Sequence, residues 1–313
     1  MKKCLLFISF FGLILTSIPS YSQTNNLLAV QRDDLYEVNC KTGEYKLIPT
    51  NTKWLGTEAM TYVNGSVYII GSSNLYKVNP ASGSYAICGA SGAWGSTSAM
   101  TTDGTNIFAV QKDDLYQVNP DNGVYQLIPT KTKWLGTEAM TYVNGSIYII
   151  GSANLYKVNP VSGSYAICGA GGVWGSTSAM ASDGLNIYAV QKDDLYEVNP
   201  KNGVYRLIPT NTKWLGTEAM TFADGTIYIF GSSNLYKVDP NSGSYAYLGK
   251  SGVWSSTAAA STSYAIPQYR RGPTLFDACF VDWWTHSAPK LHIFKGTKYS
   301  VFNKNAGTFE NDL

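Results

Sequence analysis

The sequence predicts an all-β ring built from repeated four-stranded sheets, and three observations carry that prediction. Tryptophans at Trp54, Trp94, Trp134, Trp174, Trp214 and Trp254 recur with a step of 40 residues, each opening the pattern W-x-x-T. Each copy holds four short runs rich in Tyr, Val and Ile, set apart by Gly, Asn, Asp and Pro. The array opens inside one copy at Leu27 and stops inside another over 254–263, so its two partial ends complete one another.

Ahead of the array the chain reads MKKCLLFISFFGLILTSIPSYSQ. Two lysines, an apolar run from Leu5 to Leu15 and small residues at Ser20 and Ser22 have the order of a secretory signal peptide over residues 1–22. The run is too short for a membrane span, which takes about 20 apolar residues. Cys4 precedes the run, which is the wrong side for a lipid anchor. The expected location is secreted or periplasmic, with no membrane insertion. Loss of Lys2 and Lys3 lowers the basic count from 23 to 21, against 21 acidic residues. No basic cluster stands anywhere in the chain, so nucleic acid is not an expected partner. Cys40, Cys88, Cys168 and Cys279 are too few for a disulfide scaffold. Cys88 and Cys168 hold the same place in two copies and symmetry keeps them apart, so buried free thiols are expected, with a Cys40–Cys279 bridge left open.

The Leu-Tyr pairs starting at Leu35, Leu75, Leu115, Leu155, Leu195 and Leu235 keep the step of the tryptophans. Within one copy the strands read TEAMTYV, SVYIIG, LYKVNP and SYAICG in order. Four strands in about 40 residues is the length of one β-propeller blade, and the Gly, Pro and β-branched content excludes helical repeats of similar length. Asn64-Gly65 and Asp103-Gly104 read as tight hairpin turns, because Asn, Asp and Gly tolerate the positive φ of a type I′ turn. NPASG and NPDNG form the next turn, with Pro fixing φ and Gly supplying a left-handed exit. The prediction is a six-bladed β-propeller over 27–264 with shared-blade (Velcro) closure. Alternate copies differ: three carry V-Q-[RK]-D-D before Leu-Tyr and three carry G-S-[SA]-N, while Glu58, Glu138 and Glu218 stand in every second first strand. The ring is therefore a pseudo-threefold of blade pairs.

After Tyr264 the repeat ends. Pro267, Arg270, Arg271, Gly272 and Pro273 mark a linker over 265–275. Over 276–313 the residues Phe276, Asp277 and Ala278, then Phe294, Lys295, Gly296, Lys298 and Tyr299, resemble a hemopexin-type repeat. That resemblance implies one blade of a four-bladed domain, and a single blade cannot bury its own faces. The blade phrase L-Y-x-V-N-P-x-x-G-x-Y resembles the repeats of quinoprotein and surface-layer propellers, and the multiplied loops resemble a lectin-like arrangement.

Connections in a propeller alternate between two faces. Q-[RK]-D-D, G-S-[SA]-N and W-[LG]-[GS]-T fall on the same one, which is where function is expected. Both histidines, His286 and His292, lie in the tail, and the ring carries no G-x-S-x-G, H-E-x-x-H or paired C-x-x-C. Quinoprotein chemistry needs one central cofactor with an acidic base, and three equivalent glutamates lack that asymmetry. A non-enzyme without cofactor or metal is expected. The six repeating tryptophans have two readings: wedges between blades, where each indole N–H finds a partner, or sugar-stacking platforms, with Trp54, Trp134 and Trp214 standing near Glu58, Glu138 and Glu218. Those glutamates either ring the channel mouth or bond neighbouring backbone N–H groups. Asp33, Asp34, Asp113, Asp114, Asp193 and Asp194 either accept from sugar hydroxyls or Ca²⁺, or stabilise their own turns. Spacing leaves each pair of readings open. The function expected is a multivalent lectin-like binding module, monomeric, with a glycan as partner; the alternative is a scaffold gripping a surface protein.

Overall fold

A computed structural model describes residues 26–263 together with the strand segments 278–282, 290–295, 298–303 and 308–311. The signal segment 1–22 and the linker 265–275 lie outside the described residues.

The ring has six blades of four antiparallel strands. The first blade comprises Thr57–Val63, Ser66–Gly71, Asn74–Val78 and Tyr85–Ile87, from the axis outward. Four further blades begin with inner strands Thr97–Thr102, Thr137–Val143, Thr177–Ser182 and Thr217–Ala223. The sixth is shared: Thr257–Thr262 pairs antiparallel with Asn26–Gln31, in the register Leu27↔Thr262 to Val30↔Ala259, and Asp34–Asn39 and Tyr45–Leu47 complete it. Each inner strand packs on the next, and the last packs on the first.

Depth in the blade explains the strand sequences. The second strands are buried on both faces, since each is sandwiched between two neighbouring blades, and they read as continuous apolar runs such as SVYIIG. The third strands alternate, with Leu75 and Val78 buried and Tyr76 and Lys77 partly open. The outermost strands are three residues long and exposed throughout. So short an outer edge gives little length for pairing with another chain.

Turn chemistry divides by blade. Asn64 and Gly65 have φ of +47° and +82°, the expected two-residue turn. Asp103-Gly104 departs from the expectation. Thr102 pairs with Ile107, so the turn has four residues, and Asp103 Oδ1 accepts from the N–H of Thr105 and of Asn106 at 2.7 and 2.6 Å. The dipeptide looks like a tight turn, yet the Asp side chain forms an Asx-type loop instead. In N-P-x-x-G, Gly83 has φ +73° and its N–H donates to Asn79 O at 2.8 Å. A Cβ there would lie 2.4 Å from Pro49 O in the preceding blade, so Gly serves both the turn and the blade contact.

Six hydrophobic clusters occupy the six seams, and each contains one of the repeating tryptophans. Trp94 is 1% exposed and meets Tyr116 and Tyr125 of the next blade edge-on, with centroids 6.2 and 5.2 Å away. Tyr68 and Tyr148 reach across a seam to donate to the carbonyls of Pro120 and Pro200 at 2.7 and 2.6 Å, and burial raises both phenols above the usual tyrosine range. Cys40, Cys88 and Cys168 are buried free thiols, and burial pushes each thiol up.

Near the axis each seam pairs a Met with an Ala: Met100 with Ala59, Met140 with Ala99, Met180 with Ala139, Met220 with Ala179 and Met60 with Ala259. The closing seam differs, because Ala260 replaces the Met and faces Ala219. Phe230 stands in that seam where other blades carry Ile or Val, with its ring edge-on to Trp254 at 5.1 Å. The larger ring restores volume that the Met-to-Ala exchange removes.

The tail segments Ala278–Asp282, Lys290–Lys295, Lys298–Asn303 and Thr308–Asn311 form one antiparallel four-stranded meander.

The compensation at the closing seam is testable. Ala260→Met alone overpacks against Phe230 and is expected to cost about 1–3 kcal/mol. Phe230→Ile alone opens a cavity at a similar cost of about 1–3 kcal/mol. The double variant rebuilds the composition of the other seams and should lie within about 1 kcal/mol of the parent in urea denaturation. Additive losses would mean that the two positions do not share volume.

Candidate functional site

The loops joining second to third strands, and those joining one blade to the next, are tied together on one face. Trp54 N–H donates to Asp33 O at 2.7 Å, and Trp94 N–H donates to Ser73 O at 2.9 Å. The amides of Gln111 and Gln191, each 6% exposed, donate to carbonyls of the loops at Ala93 and Gly95 and at Val173 and Gly175. Gln31 does the same to Val253 and Ser255. The Q of Q-[RK]-D-D therefore anchors the preceding interblade loop.

Asp33, Asp113 and Asp193 hold φ of +64°, +62° and +65°, a region that Asp tolerates better than most residues. Their backbone carbonyls accept from Trp54, Trp134 and Trp214. The neighbouring carboxylates of Asp34, Asp114 and Asp194 pair with Lys53, Lys133 and Lys213 at 2.5, 2.5 and 2.6 Å. The bonded carboxylate pushes each lysine above its usual range. These are surface pairs, and such pairs contribute little stability. Among the described residues, no three His, Cys, Asp or Glu side chains converge as a metal site.

The two halves of the expected Trp–Glu site do not meet. Trp54, Trp134 and Trp214 are 4, 3 and 3% exposed, each wedged into the seam that precedes its own blade. Their ring faces are covered, so they offer no stacking platform. Trp214 Nε1 donates to Thr210 Oγ1 at 3.2 Å, while the other five repeating indoles have no acceptor in reach, contrary to the expectation that each N–H finds a partner. Glu58 is exposed and turns the other way, over the start of the next inner strand, where it accepts from Ser96 N–H at 3.3 Å and Thr97 N–H at 2.6 Å. Glu138 and Glu218 repeat this with Ser176 and Thr177 and with Ser256 and Thr257. Each glutamate thus caps the start of the next inner strand, the second of the two readings that spacing left open.

The residue that sequence reasoning passed over is the leucine inside W-L-G-T. Leu55, Leu135 and Leu215 are 59, 61 and 61% exposed. Every neighbour in KWLGTE has a task in the fold: Lys53 pairs with Asp34, Trp54 fills the seam, Gly56 supplies φ +64°, Thr57 Oγ1 donates to Trp54 O at 2.7 Å, and Glu58 caps. The leucine contributes its carbonyl, which accepts from Ser72 Oγ at 2.9 Å, while its side chain stays largely exposed. Elsewhere the three 80-residue units have drifted at exposed positions, with Lys41, Asp121 and Lys201, or Ala81, Val161 and Asn241. Identity at an apolar, exposed loop position was the available signal, shared on the outer strands by Leu47, Leu127 and Leu207.

The axis itself offers a cavity of about 120 Å³ lined by residues such as Met60, Thr61, Tyr62, Thr101 and Thr141. That is below the roughly 300 Å³ of ordinary small-molecule pockets, and its lining is uncharged.

No protein-family model matches the chain, and no curated protein matches it. Among solved structures it is similar to a chain of a nidogen/laminin complex, with TM-score 0.64 and 13% identity over 77% of this chain and 98% of that one. The likeness supports the propeller fold.

Removal of a cap should be measurable. Glu58→Ala, Glu138→Ala and Glu218→Ala are each expected to cost about 1 kcal/mol, from loss of charge-assisted bonds to backbone N–H groups. The Gln variants keep an acceptor and should lose less. Unchanged melting of all three Ala variants would show that the carboxylates do not hold the seams.

Proposed function

We propose that the chain is a non-catalytic, multivalent binding module that holds a protein on the face bearing the W-L-G loops. The observation that carries this is the set of three exposed, identically placed leucines, Leu55, Leu135 and Leu215, held by loops that are otherwise fully committed to the fold. Covering an exposed leucine with a partner removes apolar area from water, which favours association. Three copies multiply a weak contact when the partner is itself repeated. The similar solved structure comes from a complex of nidogen with laminin, which is in keeping with a protein partner. The basic start of the chain and its short apolar run support export.

A second reading keeps the glycan. The outer strands expose Tyr45, Tyr85, Tyr125, Tyr165, Tyr205 and Tyr245 by 42–45% each, so aromatic surface for sugar stacking exists on the rim and not at the tryptophans.

Two surfaces make the readings separable. The triple variant Leu55→Ser, Leu135→Ser, Leu215→Ser should keep the parental melting curve, since Ser255 already occupies the equivalent place in another loop. It should lose whatever protein the immobilised parent retains from an extracellular extract. On a glycan array, parent and variant should both stay blank. Glycan binding that survives the leucine changes and falls with Tyr45→Ser and its five counterparts would move the function to the rim.

A further inference from the structure

A cavity of about 80 Å³ lies beside Leu135, between the loop that carries this leucine and the next turn and outer strands of the same blade. Benzene occupies an apolar cavity of about 150 Å³, so roughly three or four non-hydrogen atoms fit here and a sugar ring does not. The aromatic side of the cavity is rigid. Trp134 meets Tyr156 and Tyr165 edge-on, with centroids 5.4 and 5.3 Å away. A space walled in this way is formed before any ligand arrives, which lowers the cost of binding.

Hydrogen-bond capacity decides what the space can take. Two phenols supply donors: Tyr156 accepts from Asn154 Nδ2 at 3.3 Å and so has its own proton left to give, and Tyr165, 43% exposed, is open to a ligand. Three hydroxyls supply acceptors. Thr132, Thr137 and Ser152 send their protons to the loop's own carbonyls, Lys133 O at 3.5 Å, Trp134 O at 2.7 Å and Leu135 O at 3.0 Å. Each hydroxyl oxygen keeps lone pairs for an incoming donor. Lys133 also lines the cavity, and its ammonium is already paired with Asp114, so the ligand meets no unbalanced charge.

From this set we propose that the cavity binds a primary carboxamide, the side-chain end of an Asn or Gln in a partner protein. A carboxamide offers one oxygen to accept from the phenols and two N–H donors for the hydroxyls. A carboxylate of the same shape loses both donors and brings an unpaired charge. An aliphatic tip leaves the phenols and hydroxyls unpaired. Leu135 lines the cavity and is 61% exposed, so the methylene stem behind the amide meets it. The proposal rests on the reading of the W-L-G face as a protein-binding surface and names the chemistry of the partner. The three units are not equal in this respect. The first repeats the residues of the second, with Ser72, Tyr76 and Tyr85 for Ser152, Tyr156 and Tyr165. In the third, the cavity at Trp214 is about 30 Å³, and the Tyr236 hydroxyl is bonded to Tyr247, which stands in the place of Ile167. Two amide sites follow, at the first and second units.

Saturation-transfer NMR on the full chain tests this, with N-acetyl-glutamine methylamide as the probe and its glutamate and norleucine analogues beside it. The glutamine probe should saturate with a Kd on the order of 10 mM. The two analogues should bind at least about tenfold more weakly, because a site built to hydrogen-bond a group rejects one that lacks it. Tyr76→Phe, Tyr85→Phe, Tyr156→Phe and Tyr165→Phe together keep the rings and remove the donors. That variant should hold its melting curve and bind the glutamine probe about tenfold more weakly; if it does not fold, the comparison of analogues on the parent chain decides. Equal binding of the three capped residues overturns the carboxamide, as does N-acetylglucosamine bound in preference to glutamine. No transfer from glutamine up to about 100 mM overturns it too, and so does glutamine binding left unchanged in a folded Tyr→Phe variant. If the probe binds as expected while the triple Leu→Ser chain still retains its protein, the cavity stands and the reading of the W-L-G face falls. A parent that takes no probe, yet loses its protein on the Leu→Ser change, retires the cavity alone.

Discussion

The structure depends on one contact made six times: an indole driven into the seam between two blades. A four-stranded blade is apolar on both broad faces and cannot bury either alone. Each repeating Trp arrives from the interblade loop, with its N–H bonded to the second turn of the blade before it, and fills the seam against tyrosines of the blade after it. An indole of roughly 200 Å², at about 25 cal/mol per Å², contributes on the order of 5 kcal/mol as an upper limit. That exceeds the ~1–3 kcal/mol set against it by an unpartnered buried N–H. The loop face inherits its rigidity from this wedge, since the backbone that ends in Trp cannot move without opening a seam.

Closure of the circle is the second consequence. The last inner strand has no blade of its own and pairs with Asn26–Gln31 from the start of the array, so the ring is fastened by hydrogen bonds between residues more than 220 apart. That seam is also where the repeat departs most from itself, with Ala260, Phe230 and Leu248 replacing the residues of the internal seams. The substitutions sit where a terminal strand meets an internal blade.

Much of this was legible in the sequence because period and composition report on it directly. A step of 40 gives the blade, and two complementary partial copies give the closure. Depth was not legible in the same way. The spacing of Trp54 and Glu58 says that they travel together along the chain, but the indole is buried in one seam while the exposed carboxylate caps the start of the next blade's inner strand. The Asp103-Gly104 turn failed for a different reason: a side-chain acceptor that satisfies two N–H groups makes a four-residue loop as good as a tight one. Leu55 was hidden because pattern reading weighs residues that carry chemistry, and an exposed leucine carries none until its neighbours' tasks are known.

The same symmetry that makes the fold readable limits where function can sit. Residues on the axis are shared by all blades, and there the chain places thioethers and hydroxyls around about 120 Å³, a filling with no charge or shape to select a ligand. Residues off the axis come in threes, so any recognition there is repeated and individually weak. An asymmetric pocket would require one unit to diverge from the other two, and on the loop face the units do diverge at single positions such as Asn51, Lys131 and Asn211 or Gly95, Gly175 and Ser255, while the K-W-L-G-T-E segments stay identical. The leucines of these loops are held in place by their carbonyls, which accept from Ser72, Ser152 and Ser232, and the fold leaves only their side chains exposed.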